Sequence, residues 1–261
     1  MSSLSLPLTM RSYEYWIFQY KRTWRGSVVS TVLFPVLFLA AMGLGLGSLV
    51  DASASGGVDG LPYLVFLAPG LLAATAMQTG VGESTYPVMG AIKWVKTYHA
   101  MLATPIGVLD VLVGHLLYIA TRILLGSAIF LAVMGVFGAL DSPLALLAVP
   151  AAVLTGMAFS APVVAFAATN ENDAGFAALF RFVVTPLFLF GGVFFPVEQL
   201  PPVLEHAAYA TPLWHGVALS RGLALGTATA GGVLLHVAYL SAWIAVGSWL
   251  AARAFRRRLA V

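Results

Sequence analysis

Charge is scarce in this chain, cysteine is absent, and no glycine is followed by lysine. Without cysteine there are no disulfides and no thiolate-ligated metals, although the compartment stays open. Asp, Glu, Lys and Arg together make 9% of the residues, where a water-soluble domain carries roughly 25%. A fold that meets water on every side is therefore excluded. The missing Gly-Lys pair excludes a Walker A loop, so the chain cannot cradle ATP phosphates by that device and energy for any work is expected to come from elsewhere. The five histidines, His99, His115, His206, His215 and His236, show no HExxH or other ligand spacing, and the topology derived below spreads them over different sides or depths. Ser160 and Ser220 lack the glycine-flanked turn of a nucleophile elbow.

Apolar residues are present instead, at 60% of the chain with a mean hydropathy of +0.94. Apolar runs recur with no polar block long enough to fold separately in water, which predicts one all-α integral membrane domain over 1–261. Six spans are expected, at 28–50, 61–82, 108–137, 144–168, 176–195 and 231–252. No internal repeat or low-complexity segment is apparent. Ahead of the first span, Tyr13, Trp16, Ile17, Tyr20 and Trp24 share one helical face, and Glu14, Lys21, Arg22 and Arg25 share the other. This pattern predicts a helix over 1–27 lying in the membrane interface, or an aromatic and basic flank to the first span. With aromatics and cations on opposite faces, neither reading is a nucleic-acid site.

The net charge of +3 matters less than where the cations sit. With six spans, Arg11, Lys21, Arg22, Arg25, Lys93, Lys96, Arg253 and Arg256, Arg257, Arg258 fall on one side, while the loops after Asp51 and Asp141 carry none. The positive-inside rule then makes both termini cytoplasmic. Arg221 becomes a lone external cation. Arg122 stands roughly 22 Å along a helix from Gly107, where an arginine costs about 2.5–3.5 kcal/mol. His115, Tyr118 and Arg122 are spaced i, i+3, i+7 and form one polar stripe, which would serve a substrate headgroup or a structural pair with a carbonyl or carboxylate.

Two stretches interrupt the spans. Residues 91–104 can form a short helix carrying Lys93 and Lys96, with Val95 and Leu102 on one side and Trp94, Tyr98 and Met101 adjoining; an apolar knob of this kind needs something to bury it. Residues 196–226 are apolar, yet Pro196, Pro201, Pro202 and Pro212 deny them one long helix. A helix from Pro202 to about Ala210 reaches roughly 15 Å, half the hydrocarbon thickness, which predicts a broken outer re-entrant hairpin.

Phe194, Phe195 and Pro196, then Glu198, Gln199, Leu200, Pro201, Tyr209, Thr211, Pro212, Leu213, His215 and Arg221 carry a resemblance. So do residues 15–25, 34–47, 63–70 with Met77 and Glu83, and 102–105 followed by Gly114 and Thr121. Together they resemble the type-2 ATP-binding-cassette exporter permeases, nearest to the nodulation-factor (lipo-oligosaccharide) export permeases, with drug and polysaccharide exporters as relatives. His115 departs from the glutamate usual in the nodulation group.

The resemblance implies a permease of the bacterial cytoplasmic membrane that exports an amphipathic substrate. Its partners would be two copies of a separate ATPase subunit, which bind ATP and Mg, a second permease copy, and membrane lipid; nucleic acid is not among them, and the chain itself needs no cofactor or metal. It makes 91–104 the coupling helix, with Glu83, Lys93, Trp94, Lys96, Tyr98, Met101 and Leu102 at the ATPase joint. It also makes Phe194, Phe195, Pro196, Tyr209, Pro212, Trp214 and His215 an outer gate, although packing of the hairpin explains these residues equally well. An intramembrane lipid-modifying enzyme, a channel or a secondary transporter are the alternatives.

Overall fold

The computed structural model describes residues 4–52 and 57–259, at 27–30 by backbone alone, so part of the expected 51–60 loop lies outside the described residues. All regular structure among them is helical. Five stretches are long and apolar enough to cross a membrane: Thr31–Asp51, Tyr63–Trp94, Val108–Val136, Pro143–Thr169 and Ala230–Leu259. The remaining expected span, 176–195, the fifth in order, corresponds to the shorter apolar helix Ala174–Phe190. It stops early for a local reason: Gly191 and Gly192 follow, and Gly192 takes φ +80°, a left-handed turn that ends a helix.

The helices are α1 (Leu6–Phe38), which continues through π-helical turns at Leu39–Leu46 into α2 (Gly47–Asp51), then α3 (Tyr63–Ser84), α4 (Tyr86–Met89) and α5 (Thr97–Leu102). After these come α6 (Val108–Val136), α7 (Ala148–Thr169), α8 (Ala174–Leu179) and α9 (Thr185–Phe190), the last two joined by a π turn. The chain closes with α10 (Pro202–Tyr209), α11 (Pro212–Leu225) and α12 (Ala230–Leu259).

The expected boundary between an interfacial helix and a first span is absent, since α1 passes through Gly26 without a break. One glycine inside a helix costs about 1 kcal/mol, and the packing on α6 outweighs that. Asp110 accepts from Ser5 N and Thr9 Oγ1, both at 2.8 Å, and from Gly107 N at 3.0 Å. A Cβ on Gly114 would come within 2.7 Å of Ser12, so only glycine allows the two helices this close. The aromatic face therefore turns onto protein. Trp16 is buried, Tyr13 and Tyr20 are partly buried against the core, and only Trp24 stays exposed.

At the centre lies α3, whose Leu67, Ala68, Leu71, Ala73 and Ala74 are fully covered. Small residues set its contacts. Gly80 of α3 meets Gly156 of α7, Gly216 of α11 meets Thr155 of α7, and Gly247 of α12 meets Pro162 of α7. Without a hydrophobic force to separate helix from lipid, such close backbone approach is what membrane bundles rely on. Prolines open the two short helices near the C-terminal part, Pro202 in α10 and Pro212 in α11. Thr211 caps α11 by accepting from Trp214 N at 3.3 Å.

Candidate functional site: a projecting turn, a lateral cavity and the opposite helical cap

At one end of the bundle, Trp94 and Val95 project with 59% and 74% of their surface exposed. Lys96 adopts φ 57°, a left-handed turn that sets the projecting pair off from α5. The sequence groups Tyr98 and Met101 with this knob, but both are buried. The turn at Lys96 sends them inward, where the Tyr98 hydroxyl is hydrogen-bonded to His115 Nδ1 and its ring lies 5.4 Å from Phe255 of α12. Leu102 is partly buried against the core. The knob is thus rigidly backed. Beneath it, Lys93 binds the Glu171 carboxylate at 2.8 Å and its backbone carbonyl, and Arg258 binds the other carboxylate oxygen. Arg258 and then Lys93 pull the Glu171 carboxyl down to about 2, so it is ionised at any physiological pH. Glu171, an unassigned loop acid in sequence, ties the projecting turn to the end of α12.

Between α1, α3 and α6 lies a cavity of about 490 Å³. Glu83 and Arg122 meet on its wall, Arg122 Nε donating to Glu83 Oε1 at 3.0 Å, and the guanidinium sits 4.3 Å from the Tyr20 ring centre. Gln78, Thr75 and Thr79 add polar groups; Phe34 and Leu125 add apolar ones. Counting from Gly107 puts Arg122 deep in a span. The structure sets it level with Glu83, at the penultimate position of α3, because the first turns of α6 run beyond α3 alongside α1. Glu83 in turn stands in this pair rather than on the exposed knob. His115 and Tyr118 do not reach the cavity: they pack against Trp16, with ring centres 4.2 and 5.9 Å away.

The opposite end is closed by α10 and α11. Tyr209 and Trp214 meet edge to face at 4.7 Å, and the Tyr209 hydroxyl lies within hydrogen-bonding distance of Glu198 and Glu205. Phe194 packs between Phe38 and Phe188, Phe195 and Pro196 are half-buried, and Pro212 is buried. His215 and His236, which sequence spacing does not pair, stand with their Nδ1 atoms 2.9 Å from each other, and His215 stacks on Tyr239 at 3.8 Å. Arg221, expected as a lone external cation, turns its guanidinium into the protein. It donates to Phe66 O at 3.1 Å and Gly192 O at 2.8 Å, with its guanidinium 3.9 Å from the Phe66 ring centre. Gly70 makes the room, since a Cβ there would lie 3.0 Å from Arg221 Nη2. The clue in the sequence was an arginine within an otherwise apolar helix, opposite glycines that expose carbonyls.

Among the described residues no group of three or more His, Cys, Asp or Glu side chains could hold a metal ion.

Similarity to known proteins fits this layout. The sequence profile of the ABC-2 type transporter family matches residues 9–225. Nodulation protein J of Rhizobium leguminosarum bv. viciae is 32% identical over 254 residues, covering 97% of this chain and 94% of that protein. Nodulation protein J of Sinorhizobium fredii is 30% identical over 249 residues, 95% of this chain and 91% of that protein. The inner membrane transport permease YadH of Escherichia coli (strain K12) is 23% identical over 209 residues, 76% and 75% of the two chains. A helical membrane protein matched by one family profile over most of its length, this chain belongs to the ABC-2 type transporter family, as a membrane transport permease subunit.

Proposed function

We propose that the chain is the permease subunit of an exporter driven by separate ATP-binding-cassette subunits, moving an amphipathic substrate out across the bacterial cytoplasmic membrane. Two permease copies pair with two ATPase subunits, which supply ATP and Mg. Ala174–Phe190 acts as the fifth of six crossings, so α5 and both termini face the cytosol, and α10 and α11 form a re-entrant hairpin on the outer side. The substrate class is lipo-oligosaccharide, glycolipid or hydrophobic drug, in keeping with the resemblance to nodulation-factor permeases.

The observation that carries this reading is the exposed Trp94 and Val95 pair on a buried base. Two large apolar side chains held out from a cation-rich end match the anchors that dominate protein interfaces. Behind them, Tyr98 touches both His115 of α6 and Phe255 of α12, so a push on the knob reaches two long helices at once. The cavity holding Glu83 and Arg122 is suited to a polar headgroup with its apolar part against Phe34 and Leu125. At the other end the Tyr209, Trp214 and His215 cluster is the gate, which ATP-driven movement loosens.

The test is co-purification of the detergent-solubilised permease with its ATPase subunit. W94D/V95D should lower retention of the ATPase at least tenfold while the permease stays monodisperse, because aspartate in a dry anchor pocket is desolvated without a partner. Retention unchanged by the double variant would remove the proposed docking role.

A further inference from the structure

Near the arginine-rich end of α12, a cleft is lined by α7 and α12. The two helices touch where Gly247 meets Pro162, a Cβ on the glycine falling 2.5 Å from the proline ring, and the cleft between them has a volume of about 750 Å³. Its walls divide by chemistry. Pro162, Ala165, Phe166 and Leu250 are apolar; Arg253, Arg257 and Arg258 are grouped at the far end of α12. Arg258 is held by Glu171. Arg253 and Arg257 form no ion pair among the described residues, and Arg253 instead lies 5.9 Å from the exposed Trp249 ring. No acidic side chain lines the cleft.

We infer that this cleft binds an anionic phospholipid of the inner leaflet, its phosphate held by Arg253 and Arg257 and its acyl chains laid along Pro162, Ala165 and Leu250. The charge pattern selects the occupant. Two guanidiniums carry fork-shaped donors that match a phosphate, and an adjoining tryptophan suits the headgroup level of a bilayer. The apolar wall leads from the arginines toward the middle of α12, which is the direction an acyl chain must run. A soluble phosphate would use the arginines but leave that wall bare. The site also borders Glu171, which Arg258 shares with Lys93, so a bound lipid would sit one ion pair away from the projecting Trp94 turn. The inference needs α12 to cross the bilayer with Arg253 at its boundary, takes the inner leaflet from the proposed topology, and stands whether or not an ATPase docks on Trp94.

The experiment uses the full chain in nanodiscs of phosphatidylcholine with phosphatidylglycerol at one part in five. After extraction, native mass spectrometry counts the lipids retained. Wild type should keep phosphatidylglycerol over phosphatidylcholine, and R253Q/R257Q should lose about 10-fold of that preference, given two interfacial cations removed. R253K/R257K should keep most of it, which separates lost charge from misfolding, and equal melting temperatures in phosphatidylcholine alone would show the glutamine variant folded. If inorganic phosphate at 20 mM strips the lipid completely, the apolar wall contributes nothing and the lipid assignment fails in favour of a phosphate site. Equal retention of the two lipids by wild type, or an unchanged preference in R253Q/R257Q, also overturns it.

Discussion

Gly80→Val is expected to leave almost no folded permease. A side chain at Gly80 would begin 2.5 Å from Gly156 O and 2.5 Å from Ser160 Oγ, and Gly156 cannot retreat, since its own Cα faces Ala76 O and Ile123 across the same contact. The obstruction is backbone, not a side chain that can rotate away. Overpacking typically costs 1–3 kcal/mol, occasionally more, where neighbours can shift; prying α3 from α7 along buried Ala73, Ala76 and Ala152 costs more still. Against a total stability of roughly 5–15 kcal/mol, that is enough to empty the native state. Two residues on, Gly82 has nothing within 4 Å of its missing Cβ, so Gly82→Ala should be neutral or stabilising by up to about 1 kcal/mol. The monodisperse peak of a fluorescent fusion on size exclusion reads both: lost for G80V, kept for G82A. A normal G80V peak would mean that α3 and α7 are further apart than described.

The second large effect concerns one ion pair. Glu83 and Arg122 keep only 20% and 15% of their side-chain surface exposed, so removing Glu83 takes a carboxylate from a largely desolvated guanidinium. Glu83→Ala should cost about 3 kcal/mol, in the range for breaking a largely buried pair. E83A/R122L should recover part of that, because an apolar pair avoids the desolvation that the charges impose, although alanine leaves the glutamate's space unfilled. Thermal unfolding in detergent compares the three proteins. If E83A and E83A/R122L melt together, the two side chains are not coupled, and the wall of the α1, α3, α6 cavity is organised in some other way.

These pairings show where reading the chain by eye reaches its limit. Hydropathy runs long enough to cross a bilayer announce helical membrane structure without any knowledge of neighbours, and proline at the first turn of α10 and of α11 reflects its own missing N–H. Such signals are local. Glu83 and Arg122 lie 39 residues apart, Lys93 and Glu171 78, Arg221 and Phe66 155. Nothing in composition or spacing joins them, because each pairing is set by how whole helices pack. The same holds for His215 and His236, which no ligand spacing links and the meeting of α11 with α12 unites. The boundary expected after residue 27 is another case: the bonds from Ser5 and Thr9 to Asp110 hold α1 on α6 well before that point, and the helix runs on. Tyr98 and Met101 were misjudged through one dihedral, since the left-handed turn at Lys96 cannot be seen in a helical wheel.

A chain with no native cysteine invites single-cysteine labelling. Trp94→Cys and, on the exposed face of α10, Val203→Cys can each be challenged with a membrane-impermeant maleimide in right-side-out and inside-out vesicles. Docking of a cytosolic ATPase predicts that position 94 reacts only in inside-out vesicles and is shielded by saturating ATPase subunit, while position 203 reacts only in right-side-out vesicles. Labelling of position 94 from the outside medium, or cytosolic labelling that the ATPase subunit leaves undiminished, would contradict it.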